Sequence, residues 1–308
     1  MNLRIGTRGS ALARAQAADV ARRLEAHGHS TETIIISTEG DRVTDRGFTD
    51  VGAFGIFVRE IEAALLDQHV DVAVHSYKDL PSRSPAGLII AAVPERLDAA
   101  DVLLTRTDAV AAVRGTLPLR DGARVGTSAA RRQALLRALR PDLEIGMLRG
   151  NVPTRVGALS YGRFDAIVIA AAGLARLERA SVGAPPLVPA GVVHTRLDPG
   201  TFVPAPAQGA IAVQVRAQAA AVRDAVSAID DTRTARALRA ERAALAFADG
   251  GCTLPFGAWC ETQSDGALRL IVALGRSDGT VARAEATGDD PDAIAEMAWR
   301  DVSSGVHA

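Results

Sequence analysis

The chain has 308 residues, 48% hydrophobic and 23% charged, the balance of a globular protein with length for two or three domains. Its formal net charge of −1 supplies no global field for nucleic acid or an anionic membrane, so an anion site must come from a local concentration of arginine. The opening Met1–Ser10 stretch is not the apolar leader of a secreted protein, and no apolar run is long enough to cross a bilayer, which argues for the cytoplasm.

Leu3–Gly6 reads as a first strand, followed by the turn Thr7-Arg8-Gly9-Ser10. Ser10 is placed to cap an Ala-rich helix running to about Ala26. Thr33–Ser37 is a second strand, and the polar run from Thr38 through Gly55 is long enough to be a lid or binding loop. Phe57–Leu66 reads as a helix and Val70–Val74 as a strand that passes abruptly into His75, Ser76, Lys78 and Asp79. Leu88–Val93 and Val102–Leu104 are further strands. The pattern then restarts: strand Arg124–Gly126 and helix Ala129–Leu139, strand Leu143–Leu148 and helix Val152–Tyr161, strand Asp165–Ala170 and a helix through Arg176. Repeated strand–helix alternation predicts doubly wound parallel sheets. Pro204–Gly209 reads as a stiff connector leading to strand Ala210–Val215. A helix over Thr232–Ala248, strands Phe256–Thr262, Leu268–Leu274 and Val281–Ala286, and a helix over Pro291–Arg300 form a small α+β ending.

Three features carry candidate chemistry. Of 35 basic residues Lys78 is the single lysine, and it sits with Asp79 where a strand delivers polar groups to the carboxyl edge of a sheet. Arg8, Arg131, Arg132, Arg149, Arg155 and Arg176 fall at equivalent turns and helix starts, suited to bidentate recognition of carboxylates. No Gly-x-x-x-x-Gly-Lys loop is present, so the implied polyanion is carboxylate-rich rather than a nucleotide. Cys252 lies in a Gly-Gly turn, a setting for covalent attachment, whereas Cys260 lies in a predicted strand and reads as a small buried hydrophobe. Two cysteines argue against a disulfide framework, and six scattered histidines offer no metal-ligand spacing.

Thr7-Arg8-Gly9-Ser10 with Gln16, Val74-His75-Ser76-Tyr77-Lys78-Asp79-Leu80-Pro81, Gly126-Thr127-Ser128-Ala129-Ala130-Arg131-Arg132-Gln133, Leu148-Arg149-Gly150-Asn151-Val152 with Arg155, Ala207–Ala210 and Gly250-Gly251-Cys252 run in order along the chain. Together they resemble the porphobilinogen deaminase (hydroxymethylbilane synthase) family. The resemblance implies an α/β fold: two doubly wound domains like type II periplasmic binding proteins plus a small α+β C-terminal domain. The implied bounds are 1–95 with 204–226, 96–203, and 227–308, with an active site in the cleft between the first two. It implies a transferase of tetrapyrrole (heme) biosynthesis. Four porphobilinogen molecules are condensed head to tail with loss of ammonia on a covalent dipyrromethane primer, and water then frees hydroxymethylbilane.

By the same resemblance, Cys252 carries the dipyrromethane through a thioether. Lys78, Thr127, Ser128, Arg131, Arg132, Arg149 and Gly150 hold that cofactor, and Arg8, Ser10, Gln16, Arg149, Arg155 and Arg176 hold substrate. Asp79 is the catalytic carboxylate, assisting ammonia departure, stabilising the cationic azafulvene and helping to remove the α-proton after coupling. Neither a metal, a nucleic acid nor a membrane is expected, and the family expectation is a monomer. Two positions depart from the family pattern. Phe54 stands where the lid usually has lysine, with Arg59 matching a second basic position, and Ala129 replaces a frequent serine. The rival readings are a non-catalytic, periplasmic-binding-like sensor of a polycarboxylate and an enzyme acting on another polyanion. Neither has a use for Cys252.

Overall fold

A computed structural model describes residues 1–37, 53–114, 117–181, 183–248 and 254–304, with side chains omitted at 53–57 and 112–114. In chain order the elements are β1 (Asn2–Arg8), α1 (Ala11–Ala26), β2 (Ser30–Ile36), α2 (Ala53–Leu66), β3 (Val72–Ser76), β4 (Leu88–Ala92), β5 (Asp101–Arg106), β6 (Val110–Arg114), β7 (Leu117–Leu119), β8 (Arg124–Gly126), α3 (Ala130–Leu139), β9 (Glu144–Gly146) and α4 (Val152–Ser160). There follow β10 (Ala166–Ala170), α5 (Ala171–Ala180), β11 (Val192–Arg196), β12 (Ile211–Arg216), α6 (Ala220–Ser227), α7 (Thr232–Ala248), β13 (Phe256–Thr262), β14 (Leu268–Gly275), β15 (Val281–Gly288) and α8 (Pro291–Ser304). The expected lid run Thr38–Gly52 and the Gly250-Gly251-Cys252 turn lie outside the described residues.

The chain forms two compact units, residues 1–97 with 209–236 and residues 98–208 with 237–308. In the first, a five-stranded sheet has the order β2-β1-β3-β12-β4. β1 pairs in parallel with β2 and β3, whereas β12 runs antiparallel to both its neighbours. The alternation of strands and helices predicted parallel pairing throughout. The exception arises because β12 enters the sheet from a connector late in the chain and fills the place between β3 and β4. α1 starts where the Ser10 side chain accepts the Ala13 N–H. It buries Ala17, Val20, Ala21 and Leu24, the 3–4 spacing of one helix face, against Leu3, Ile5, Val72 and Val74.

The second unit repeats this plan. Its five-stranded sheet has the order β11-β5-β10-β8-β9, with β8 parallel to β9 and β10 and with β5 antiparallel to β10 and β11. A β6-β7 ribbon and the edge strand β11 were not expected from periodicity. Their short segments carry too few residues to display a period. The C-terminal antiparallel sheet β13-β14-β15 belongs to the same unit. Alternation along β14 explains why. Leu268, Leu270 and Val272 face the cluster shared with α7 and α8, while Ile271 and Ala273 join Leu135, Leu136 and Phe202 on the opposite face.

Candidate active site

In the first unit, parallel β1 and β3 are neighbours, in register at Ile5–Val72 and Gly6–Ala73, so their carboxyl ends share one edge of the sheet. That edge carries Arg8, the last residue of β1, and the 3-10 turn Tyr77–Asp79 that follows β3. The strand ends two residues later than its apolar alternation predicted, because His75 is itself buried. This puts Lys78 and Asp79 on the turn, with Lys78 half-buried and Asp79 exposed. The turn is anchored by the Tyr77 N–H, which donates to the Ala210 carbonyl at 3.1 Å, and by the Leu80 N–H, which donates to that of Tyr77. Gln16 is buried, and its amide donates to Ser76 Oγ at 2.8 Å. It therefore ties α1 to the end of β3, while the Ser10 hydroxyl is engaged as the α1 cap.

Beneath this edge runs a buried polar chain absent from the sequence reading. His75 Nε2 lies 3.1 Å from Gln214 Oε1, and Gln214 Nε2 donates to Glu62 Oε1 at 3.0 Å. With Gln214 donating to Glu62, its oxygen accepts, so the His75 ring carries its proton on Nε2. Burial pushes the His75 ring down to about 4, opposed by Gln214, and pushes the Glu62 carboxyl up. The signal available beforehand was His75 within the strand; its partners lie far away in sequence. Arg59, three residues before Glu62 on α2, is exposed. Phe54 lies in the first turn of α2, its side chain outside the described residues.

In the second unit, the carboxyl ends of parallel β8 and β9 bring together Thr127-Ser128 and the Arg149-Gly150 turn. The Thr127 N–H donates to the Gly146 carbonyl at 3.0 Å, and its Oγ1 accepts the Ala129 N–H at 3.3 Å. Ala129 occupies the N-cap position of α3 and offers no capping side chain. Gly150 has φ +108°, and a Cβ there would lie 2.9 Å from Thr154 Cγ2, so a side chain at this turn meets both strain and a clash. Asn151 caps α4, accepting the Thr154 N–H at 2.9 Å. Arg149 is exposed, and Arg155 is half-buried with its Nε donating to the Gly150 carbonyl at 2.8 Å. Arg176 is buried on α5. Cys252 lies outside the described residues, and Cys260 is buried in β13.

Arg131 and Arg132 occupy the first turn of α3 and are both buried. They converge on Asp101, the fully buried first residue of β5: Arg131 Nη2 donates to Oδ2 at 2.8 Å and Arg132 Nη2 to Oδ1 at 2.7 Å. Gln208 Nε2 adds a third bond to Oδ1 at 2.9 Å. Burial pushes the Asp101 carboxyl up, but the two guanidiniums outweigh it and hold the group well below the usual carboxylate range. Arg131 Nη1 also donates to the Val203 carbonyl, and its guanidinium stacks over the Phe202 ring at 5.9 Å. Arg132 Nη1 donates to the Val168 carbonyl, and its Nε is buried with no hydrogen-bond partner. An orphaned donor on a buried guanidinium suits a group bearing carboxylates. The counter-ion of Arg131 and Arg132 has no local signature, since Asp101 stands thirty residues earlier among strand residues.

Among the described residues no cluster of His, Cys, Asp and Glu has the makings of a metal site, and no helix is long and apolar enough to cross a membrane. Residues 3–224 match the family model described as porphobilinogen deaminase, dipyromethane cofactor binding domain, and residues 235–298 match porphobilinogen deaminase, C-terminal domain. The porphobilinogen deaminase of Lachnospira eligens is 42% identical over 306 residues, covering 97% of this chain and 98% of its own. That of Syntrophobacter fumaroxidans is 43% identical, covering 90% and 85%, and that of Thermus thermophilus is 43% identical, covering 92% and 89%. The chain belongs to the porphobilinogen deaminase family.

Proposed function

We propose that the chain condenses four porphobilinogen molecules, with loss of ammonia, and releases hydroxymethylbilane, with Asp79 as the catalytic carboxylate and Cys252 as the point of cofactor attachment. Family membership over nearly the whole length supports the reaction. The observation that carries the residue assignment is the turn Tyr77–Asp79, which sets a carboxylate, an ammonium and Arg8 at one sheet edge.

Asp79 sits exposed on the turn at the end of a buried strand, and the turn's backbone is fixed by the Tyr77 and Leu80 N–H groups. There it orients the departing ammonium, balances the cation left on the substrate pyrrole, and accepts the α-proton after coupling. Lys78, Thr127, Ser128, Arg131, Arg132, Arg149 and Gly150 would hold the dipyrromethane, which supplies the pyrrole carbon to which substrate is joined. Arg8, Arg155 and Arg176, with Arg149, would take substrate carboxylates. In this reading Ser10 and Gln16 contribute by shaping α1 and the β3 end.

The proposal extends to a monomer in the cytoplasm and to three domains at 1–95 with 204–226, 96–203 and 227–308. A separate apolar cluster between the C-terminal sheet and α7 and α8 supports the third domain. Intact-protein mass spectrometry tests the assignment. The purified chain should carry an adduct of two pyrrole units that is lost in Cys252→Ala. A folded, active chain without the adduct would overturn the reading, and an unmodified chain that binds polycarboxylates without turnover would favour a sensor.

A further inference from the structure

We propose that Asp101 is a positioning residue that holds Arg131 and Arg132 in a fixed pair and leaves them with one uncompensated positive charge, so that the pair receives a single carboxylate of the dipyrromethane. The inference rests on the assignment of these arginines to the cofactor.

The charge count comes first. Asp101 is fully buried, and the two arginine side chains that contact it are 6% and 5% exposed. Among the described residues Asp101 is the only carboxylate in contact with either guanidinium. One carboxylate between two guanidiniums leaves a single positive charge almost out of water. Desolvated charge is costly unless a partner satisfies it, and here the protein supplies only half of the partners. The orphaned, buried Nε of Arg132 is an independent sign of the same deficit.

The geometry then separates orientation from charge. Asp101 gives Oδ2 to Arg131 and Oδ1 to Arg132, while Gln208 binds Oδ1 and also donates to the Ala99 carbonyl at 2.8 Å, which fixes the carboxylate plane. Each guanidinium is pinned again by a backbone carbonyl, Val203 for Arg131 and Val168 for Arg132. A planar fork held at two nitrogens has no freedom to search, so its remaining N–H groups are pre-oriented for an incoming oxygen. Without Asp101 the same two charges would repel and separate.

The test uses Asp101→Asn and Asp101→Glu in the full chain. Asn keeps the shape and removes the charge, and Glu keeps the charge and displaces the carboxylate by one methylene, which preserves a folded protein should Asn not fold. The readouts are the fraction of folded protein carrying the two-pyrrole mass, and the affinity for porphobilinogen measured by calorimetry in a Cys252→Ser background, where no covalent loading occurs. Loading and affinity should each fall by about tenfold or more in whichever variants fold, about 1.4 kcal/mol in binding. A purely architectural Asp101 would lower the melting temperature and leave the folded fraction fully loaded with unchanged affinity; that result overturns the proposal. A wild-type chain without adduct and without porphobilinogen binding would instead overturn the cofactor assignment itself.

Discussion

Acidification should load a specific cost onto the first sheet through His75. In the folded chain burial holds this ring down to about 4, whereas an unfolded histidine titrates near 6.5. Between those values the unfolded chain binds a proton that the folded chain does not, so stability falls as the pH falls through the window and is unaffected above it. At 1.36 kcal/mol per pH unit the full cost is about 3 kcal/mol, with about 2.5 kcal/mol of it in force by pH 4.5. Glu62, at the other end of the same chain of hydrogen bonds, works against this. Its raised carboxyl takes up a proton more readily in the fold, so its contribution grows as the pH falls. The measurement is therefore a difference between wild type and His75→Gln, in which Glu62 is common and the new amide can still donate to Gln214. Both tryptophans, Trp259 and Trp299, lie in the second unit and would not report on His75. Hydrogen exchange of β3 and β12 in a pH series, with NMR titration of the ring, reads the right place. The protection lost between pH 7.5 and 4.5 should be smaller in the variant by about 2.5 kcal/mol. Parallel pH profiles, or a ring that titrates near 6.5, would refute the argument.

Asp79→Asn should leave the two-pyrrole adduct in place and suppress hydroxymethylbilane formation by about two orders of magnitude or more, the scale of a lost acid–base group. Near-normal turnover would remove Asp79 from its role. Gly257→Ala should be destabilising and should disturb Arg131. The added Cβ would lie 2.7 Å from the Val203 carbonyl oxygen and 3.2 Å from Arg131 Cδ, so backbone that also holds the guanidinium must move. A loss of about 1–3 kcal/mol in unfolding experiments, with reduced adduct content, is the expected outcome. Wild-type stability and loading would contradict it.

Much of the candidate site within each unit was legible because chemistry and topology coincide at the ends of parallel strands. Arg8, Lys78 and Asp79 in one unit, and Thr127, Ser128, Arg149 and Gly150 in the other, each follow an apolar strand signal, and local order in sequence places them at a sheet edge. What escaped were pairings with no local signature. Asp101 looks like the polar start of a strand until α3 lays two arginines on it, and Gln214 looks like one polar residue in a strand until His75 and Glu62 reach it from two other elements. The antiparallel strands escaped for the same reason. Periodicity reports which faces are buried, and direction within a sheet is set by where the connection returns.

That return has a consequence for the order in which the molecule can be made. β12 sits between β3 and β4, yet it leaves the ribosome roughly 120 residues after β4. Until it arrives, β3 and β4 lack the strand that joins them, and the Tyr77 N–H has no Ala210 carbonyl to hold the Lys78–Asp79 turn. Closing a loop of that length costs only about 2 kcal/mol more than closing one of ten residues. The penalty is therefore one of waiting, with strand edges exposed during synthesis. The turn that carries Asp79, the proposed catalytic carboxylate, is translated early and completed late, so the first unit depends on protection from aggregation until β12 arrives.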